Sequence, residues 1–146
     1  MHPFLQPRGI RNNNPGNIRL SAQKWHGQKV EQHDTAFIEF ETPLAGLRAL
    51  MKLLLTYQAK YGLDTVESII NRFAPPHENA TDYYIYAVCR GLKVKRRDRL
   101  ALTDPIVLAA LARAIVQQEN GTVAAKDAEW YPAALYTEAA TLALKT

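Results

Sequence analysis

Residues 103–121 read TDPIVLAALARAIVQQENG and carry the signals of one complete helix. Thr103 or Asp104 can cap its first turn, and Pro105 suits the first helical position because its φ is already helical. Apolar side chains then recur every three or four residues, which places them on one face: Val107, Leu108, Leu111, Ile115 and Val116. The asparagine and glycine that follow are typical of a helix end. The stretch predicts a core helix whose last turn contains Glu119.

The same periodicity predicts two helices in the middle of the chain. Thr42, followed by a proline, begins a long helix whose leucines recur at three and four until a tyrosine-glycine pair at residues 61–62. Asp64 and Glu67 have the spacing of a capping box for a shorter helix, which the prolines at residues 75–76 end. A further helix begins at Asn79 or Thr81 and runs to residue 92, and the alanine-rich residues 132–144 form the last.

The N-terminal third has a different character. Residues 12–16 read NNNPG, and these residue types favour turns because proline fixes φ while asparagine and glycine tolerate positive φ. We expect this loop to be ordered by bonds from side chains to the backbone. Residues 36–40 alternate in the manner of a strand and are expected to pair with residues 25–30. The prediction is a mainly α fold (α+β) with one small β-hairpin.

Length and composition exclude several classes of protein. At 146 residues, with 47% hydrophobic and 22% charged residues, the chain is predicted to be a single globular domain over residues 1–146 and not a disordered protein. It contains no uncharged run of ~18 residues, so no membrane span is expected. Cys89 alone forms no intramolecular disulfide and no thiolate metal cage. The net charge of +4 favours anionic partners.

Glu119 is the residue with the clearest chemical potential. At the last turn of a helix, unpaired carbonyls present the negative end of the helix dipole, which disfavours an ionised carboxylate. A general acid needs that property, because it must stay protonated until it donates its proton. The alternative interpretation is a solvent-exposed glutamate near a helix end, which is the more common situation for this pattern.

The neighbourhood of Glu119 resembles a motif of the lysozyme-like peptidoglycan hydrolases, which include lytic transglycosylases and glucosaminidases. Their catalytic helix ends in Glu-Ser-Gly, with the glutamate as catalytic acid, and residues 118–121 are similar, with Asn120 in the serine position. The family also has, in this order, an Asn-Leu-Phe-Gly-Ile-Lys type loop, a tryptophan, an aromatic strand and a Pro-x-x-Gly-x-Arg helix start. The segments of this chain that resemble them are residues 14–19 (NPGNIR), Trp25, residues 37–40 and residues 43–48. A last element, Ala-Thr-Asp followed by a tyrosine, resembles residues 80–82 with Tyr84.

One departure from the family concerns the order of these elements. The glutamate precedes the asparagine-rich loop in the family, whereas here it lies near the C-terminus. A circular permutation accounts for this order, because the chain ends of a compact domain often lie close together. It requires residues 1–8 to lie near the C-terminal region and Asn14 to lie near Glu119. Residues 8–19 also resemble the start of small phage and prophage lysins.

The resemblance implies a phage-type endolysin or virion-associated lysin that cleaves the β-1,4 bonds between N-acetylmuramic acid and N-acetylglucosamine. Glu119 is then the general acid, and Asn14, Asn17, Trp25 and Tyr84 bind substrate. Each has an architectural alternative: turn formation for Asn14, packing for Trp25 and Tyr84. We expect no cofactor and no metal, because His2, His26, His33 and His77 lack metal-binding spacing.

The expected partner is bacterial peptidoglycan, and the protein is expected to be a monomer. Without a signal peptide it would be made in the host cytoplasm, then reach the periplasm and cell wall after holin release or arrive with the virion. A basic cluster of Lys93, Lys95, Arg96, Arg97 and Arg99 is expected to be solvated or to contact the anionic envelope, and nucleic-acid binding is not favoured because no aromatic stacking motif accompanies the cluster.

The sequence leaves the reaction type open. Hydrolysis normally needs a second carboxylate, for which Asp34, Glu39, Glu41 and Asp127 are candidates, whereas a lytic transglycosylase needs only the glutamate. A glucosaminidase specificity is equally open. The competing function class is a catalytically inactive lysozyme-like protein, either structural in the virion or associated with nucleic acid, because a fold does not imply a function.

Overall fold

The structure, a computed structural model, describes residues 6–121, 123 and 129–145. Within these residues it has six helices, and the prediction of a mainly α fold is confirmed. The helices are α1 (Arg8–Arg11), α2 (Pro43–Tyr61), α3 (Val66–Phe73), α4 (Thr81–Leu92), α5 (Pro105–Asn120) and α6 (Ala133–Lys145). The short α1 was not predicted, because four residues carry no periodicity.

Helices α2 and α5 begin and end where the sequence predicts. The Thr42 hydroxyl accepts a hydrogen bond from the backbone N–H of Ala45 at 3.1 Å, and the Asp104 carboxylate accepts one from Ile106 at 2.9 Å. Gly62 ends α2 in the left-handed conformation, with φ of 69°. Each cap satisfies backbone groups that a helix end leaves without an intrahelical partner.

The predicted capping box of α3 is wrong by one residue. Thr65 is the N-cap, and its hydroxyl accepts from the Ser68 N–H at 3.1 Å while the Ser68 hydroxyl accepts from the Thr65 N–H at 3.2 Å. Asp64 and Glu67 instead pair with arginines of the loop after α4. The carboxylates are thus used in tertiary ion pairs, and a hydroxyl pair of the same spacing caps the helix.

The predicted pairing of residues 36–40 with residues 25–30 is present in a reduced form, because the described residues contain two isolated antiparallel bridges and no continuous strand. Phe37 pairs with Arg19, and Phe40 pairs with Gln28. Asparagine side chains take positions that a strand ladder would use: Asn14 Nδ2 donates to the Ile38 carbonyl at 2.9 Å, and Asn13 Nδ2 donates to that of Phe40 at 3.1 Å. The expected ordering of the asparagine loop by side-chain bonds is confirmed, and these bonds interrupt the ladder.

Helix α2 lies at the centre of the core, packed against α6 and α5, while α5 also packs against α4. Four side chains of α2 are fully buried, and each contributes roughly 2 kcal/mol by leaving water: Leu47, Leu50, Met51 and Leu54. A smaller cluster, built on Ile18, Ile38 and Phe40, lies beneath the N-terminal loop. In the described part of the chain, no helix has the length and hydropathy to cross a membrane.

Candidate active site

Glu119 receives two hydrogen bonds from distant parts of the chain. Asn17 Nδ2 donates to its Oε1 at 3.0 Å, and the Tyr84 hydroxyl donates to its Oε2 at 2.9 Å. The three side chains come from the end of α5, the N-terminal loop and the first turn of α4. The structure therefore brings together three of the five residues that the sequence placed at the site, and it fixes the direction in which the carboxylate points.

The N-terminal loop positions Asn17 through its backbone conformation. Asn17 has φ of 50°, a left-handed conformation that asparagine adopts at low cost among non-glycine residues. Asn14 is fully buried, and its side chain donates to the carbonyls of Ile18 and Ile38 and accepts from the Ile18 N–H at 3.0 Å. Asn14 therefore forms the scaffold of the loop and does not line a cleft, which favours the turn-forming alternative for this residue.

Asn120 joins the end of α5 to the same loop. Its buried amide donates to the Pro15 carbonyl at 2.8 Å and to the Val116 carbonyl at 3.0 Å. The contact is close, because a Cβ added at Gly9 would lie 2.5 Å from Asn120 Oδ1 and 2.9 Å from Asn17 Oδ1. Glu119 and the asparagine loop are thus held in a fixed relation by the residue that follows Glu119, although more than 100 residues separate them in the chain.

Tyr84 has the packing role that the sequence offered as its alternative, and its hydroxyl also contacts Glu119. Its ring belongs to the main hydrophobic core, with 7% of the residue exposed, while its hydroxyl reaches Glu119. Burial, followed by the negative charge of Glu119 and the hydrogen bond to it, raises the pKa of Tyr84 well above its usual range. The phenol therefore keeps its proton and acts as a hydrogen-bond donor to the carboxylate.

Glu119 opens onto a polar cleft of about 320 Å³. Its walls come from the N-terminal loop, from α2 and from the segment after α3. Its polar wall residues include Asn17, Arg19, Tyr57, Glu78, Asn79 and Glu119. Glu78 and Asn79 were not predicted at the site, because they lie on a loop whose position depends on the packing of α3 against α4.

Trp25 is not among the described residues that line this cleft. It packs beside the small cluster of Ile18, Ile38 and Phe40, which favours its packing role over stacking on a sugar. The aromatic residue in the cleft wall near the N-terminal loop is Phe37, whose ring lies 5.1 Å from the Arg19 guanidinium carbon. Near the end of α5, Trp130 Nε1 donates to the Gly121 carbonyl at 2.9 Å. No sequence pattern singled out this second tryptophan.

Two of the carboxylates named as candidate partners of Glu119, Asp34 and Glu39, have structural roles instead. Asp34 binds the Arg8 guanidinium through two contacts of 2.6 Å and accepts from Asn12 Nδ2 at 2.9 Å. These contacts, the Arg8 bond foremost, hold the pKa of Asp34 far below its usual range. Glu39 accepts from the backbone N–H groups of His33 and Asp34, which lowers its pKa. Glu41 is exposed outside the cleft wall, and Asp127 lies outside the described residues.

The basic cluster is largely an ion-pair network. Arg96 contacts Glu67 at 2.6 Å and Asp82 at 3.3 Å. Arg97 contacts Glu67 at 3.2 Å, and Arg99 contacts Asp64 at 2.8 Å. Two backbone hydrogen bonds, from Glu67 N–H to the Arg96 carbonyl and from Leu100 N–H to the Asp64 carbonyl, join the same segments. The arginines therefore fasten the loop after α4 to the start of α3.

The two lysines of the cluster line a pocket and form no ion pair among the described residues. Lys93 and Lys95 line a pocket of about 470 Å³ beside α4, with Arg90 and Arg96 at its edge and apolar side chains in its wall. Cys89 also lines it, and burial raises the pKa of that thiol. This pocket is larger than the cleft at Glu119, but it does not contain the carboxylate. Within the described residues, no group of three or more His, Cys, Asp or Glu side chains is arranged to hold a metal.

Comparison with known proteins identifies a bacteriophage relative. No protein-family model matches the chain. It is 40% identical over 119 residues to Protein P5 of Pseudoalteromonas phage PM2, and the match covers 79% of this chain and 72% of that protein. The chain belongs to the Protein P5 family. This relative confirms the prediction of a phage-type protein. It does not test the resemblance to lysozyme-like hydrolases, which stays a prediction.

Proposed function

We propose that this member of the P5 family is a phage lysin that binds glycan strands of bacterial peptidoglycan and cleaves them with Glu119 as general acid. The observation that carries the proposal is the fixed carboxylate of Glu119, held by Asn17 and Tyr84 at the wall of an open polar cleft. The cleft suits the substrate class. Amide and carboxylate groups can bind sugar hydroxyls, and Arg19 supplies a cation for the carboxylates of peptide stems.

The reaction begins with proton transfer from Glu119 to the glycosidic oxygen. The positive charge that develops at C1 is then removed by water, which gives hydrolysis, or by the C6 hydroxyl of muramic acid, which gives an anhydro product. A positioned acid contributes typically ~10² to 10⁴ in rate. Tyr84 and Asn17 orient the carboxyl, and Asn120 keeps the loop and α5 together. A circularly permuted lysozyme-like arrangement is part of this proposal.

Cleavage can be tested directly on purified peptidoglycan. Turbidity of sacculi and mass spectrometry of released muropeptides measure the rate and the bond broken, because anhydro ends, reducing muramic ends and reducing glucosamine ends are distinct. The expected result is soluble muropeptides from the parent chain and almost none from Glu119→Gln. A parent chain that releases no fragment from sacculi of several Gram-negative hosts contradicts the proposal.

A second candidate function is a structural role in the virion without catalysis. Membership of the P5 family favours it, because the relative is a phage protein, and a cleft alone does not require turnover. In that case the protein assembles with other virion components, and the cleft binds a partner chain or glycan without cleaving it. Purified phage particles that contain the protein but do not digest sacculi support this second candidate.

Delivery to the wall is proposed to occur with the virion or after holin release. The two routes predict different locations for the same protein. A virion-borne lysin is found by mass spectrometry in gradient-purified particles, whereas an endolysin stays in the lysate. The rate of sacculus digestion by intact particles separates the two.

A further inference from the structure

We propose that Glu78 is the second carboxylate of the site and deprotonates the water that attacks C1, so that the reaction is hydrolysis with inversion. This inference rests on the proposed function of Glu119. Among the described residues that line the cleft, Glu78 and Glu119 are the two carboxylates, and they reach it from different elements. Glu78 lies in the loop between α3 and α4, and Glu119 lies at the end of α5.

Two of the other described candidates are committed elsewhere, and the third, Glu41, lies outside the cleft wall. Asp34 is saturated by Arg8, Asn12 and two backbone N–H groups, and Glu39 accepts two backbone N–H groups. The five bonds to Asp34 use all its lone pairs, whereas both backbone bonds to Glu39 fall on Oε2. Neither residue lines the cleft. A second carboxylate must therefore come from another part of the chain.

Glu78 is free to act as a base. Its side chain is 51% exposed, and its one ion-pair neighbour in the described part of the chain is the exposed His77, at 3.7 Å, which is charged only when protonated. Its backbone is anchored, because the Glu78 N–H donates to the Pro75 carbonyl at 3.0 Å and Asn79 Nδ2 donates to the same carbonyl at 3.2 Å. The carboxylate is thus solvated, on a loop that these two bonds hold beside the cleft.

The proposed single displacement requires a particular spacing of the two carboxylates. An inverting glycosidase keeps its two carboxyls ~6.5 to 9.5 Å apart so that a water fits beside the sugar, whereas a retaining enzyme brings them to ~5 Å. Glu119 contacts Asn17 and Tyr84, and no bond joins Glu119 to Glu78 among the described residues. The cleft volume of about 320 Å³ leaves room for a sugar ring with a water behind it.

The step is balanced in atoms and electrons. The water oxygen forms a bond to C1 and loses a proton to the Glu78 carboxylate. The bond from C1 to the glycosidic oxygen breaks, its electron pair stays on that oxygen, and the oxygen takes the proton of Glu119. Solvent then returns a proton to Glu119 and removes one from Glu78. No cofactor or co-reactant other than water is needed.

The test measures the anomer formed first and the rate of two variants on solubilised glycan strands. Glu78→Gln is expected to lower the cleavage rate by at least ~100-fold, in the range of general acid–base catalysis. Glu78→Ala in the presence of azide is expected to recover cleavage and form an α-glycosyl azide, because azide attacks C1 without a base. A merely structural role gives no azide product. Glu138→Gln, an exposed glutamate of α6, is the matched control.

The outcomes separate this inference from the proposed function. Release of α-anomeric reducing ends by the parent, with loss of cleavage in Glu78→Gln, supports it. Anhydro products, a β-anomer formed first, or a Glu78→Gln variant as fast as the parent overturn it while leaving Glu119 as the acid. If Glu119→Gln cleaves at the parental rate, or the parent cleaves nothing, the proposed function itself fails and the role of Glu78 fails with it.

Discussion

The Tyr84 hydroxyl lies 2.9 Å from Glu119 Oε2 and links the first turn of α4 to the last turn of α5 across 35 residues of sequence. The ring of Tyr84 is part of the core, so the packing of α4 against α5 sets the position of the hydroxyl. A carboxylate held by a buried donor has a defined orientation without substrate. The core therefore positions the carboxylate proposed as the general acid, and changes in the core are expected to affect the proposed activity as well as stability.

The first prediction concerns Glu119→Gln. We expect cleavage of peptidoglycan to fall by ~10² to 10⁴, because glutamine has no proton to donate. Stability is expected to fall slightly: a hydrogen bond to a charged group is worth ~1.5 to 3 kcal/mol, while removing a carboxylate from a helix C-terminus recovers only ~0.3 to 1 kcal/mol. Muropeptide release and urea unfolding measure the two effects. An active Gln variant would show that the acid lies elsewhere.

The control for that variant is an exposed glutamate that has no ion-pair partner among the described residues. Glu129 is unsuitable because it pairs with Arg113 and accepts from Gln117 Nε2 at 3.1 Å. Glu138 lies on the exposed surface of α6, and its replacement by glutamine is expected to change stability by less than ~0.5 kcal/mol. Equal losses of activity in the Glu119 and Glu138 variants would point to a general effect of charge.

The second prediction concerns Tyr84→Phe. Removing the hydroxyl takes a hydrogen bond from Glu119 Oε2 but keeps the ring in the core. We expect activity to fall by about 10- to 100-fold, since a displacement of 1 Å at a reacting group can cost ~100-fold. Tyr86→Phe on the same helix is the control, because 58% of Tyr86 is exposed. Identical initial rates for the two variants on sacculi would show that the Tyr84 hydroxyl has no role in cleavage.

The third prediction concerns the contact between the N-terminal loop and α5. A Cβ at Gly9 would lie 2.5 Å from Asn120 Oδ1, so Gly9→Ala must displace the loop. We expect a loss of ~1 to 3 kcal/mol in unfolding free energy, as for other overpacked sites, together with a loss of activity. Gly91→Ala is expected to have the opposite effect on stability, because its Cβ would meet Ala114 Cβ at 3.5 Å and alanine favours a helix by ~0.5 to 1 kcal/mol.

Local signals predicted the parts of this molecule that local chemistry determines. The caps at Thr42 and Asp104 and the turn formed by the asparagine loop follow from bonds within a few residues, and the structure has them. The capping box at Asp64 and Glu67 was predicted by the same rules and is wrong, because arginines from a distant loop take both carboxylates. Tertiary ion pairs cannot be derived from spacing within one helix.

The site was predicted in the same uneven way. The helix end at Glu119 was visible as a pattern, and Asn17 and Tyr84 were named from the resemblance and lie in contact with it. Glu78 was missed because nothing in its local sequence marks it. Its place beside the cleft depends on where the loop between α3 and α4 falls. Trp25 was also named from the resemblance, but it packs beside the hydrophobic cluster beneath the loop.

The fourth prediction is a pH dependence of stability through Asp34. The Arg8 bond holds the pKa of Asp34 below its unfolded value of ~3.9, so the contribution of this group is fully present above that pH and is lost as the pH falls toward the folded pKa. Asp34→Asn should therefore lower the melting temperature at pH 7, and the gap between the two proteins should narrow below about pH 4. Thermal melts between pH 2 and 7 measure this. A gap that is constant with pH would contradict it.

The fifth prediction separates the arginines of the basic cluster from its lysines. Arg96 pairs with Glu67 and Asp82, so Arg96→Ser is expected to lower the melting temperature. Lys95 has no ion-pair partner among the described residues, so Lys95→Ser is expected to leave the melting temperature unchanged.

Any attraction of the basic cluster to the anionic envelope then comes from Lys93 and Lys95 and is screened by salt over ~8 Å at physiological ionic strength. We therefore expect Lys93→Ser with Lys95→Ser to weaken binding to whole sacculi at low salt only, with unchanged cleavage of short soluble glycans. Equal melting temperatures for the Arg96 and Lys95 variants, or lost turnover on soluble glycans in the lysine pair, would show that this division of roles is wrong.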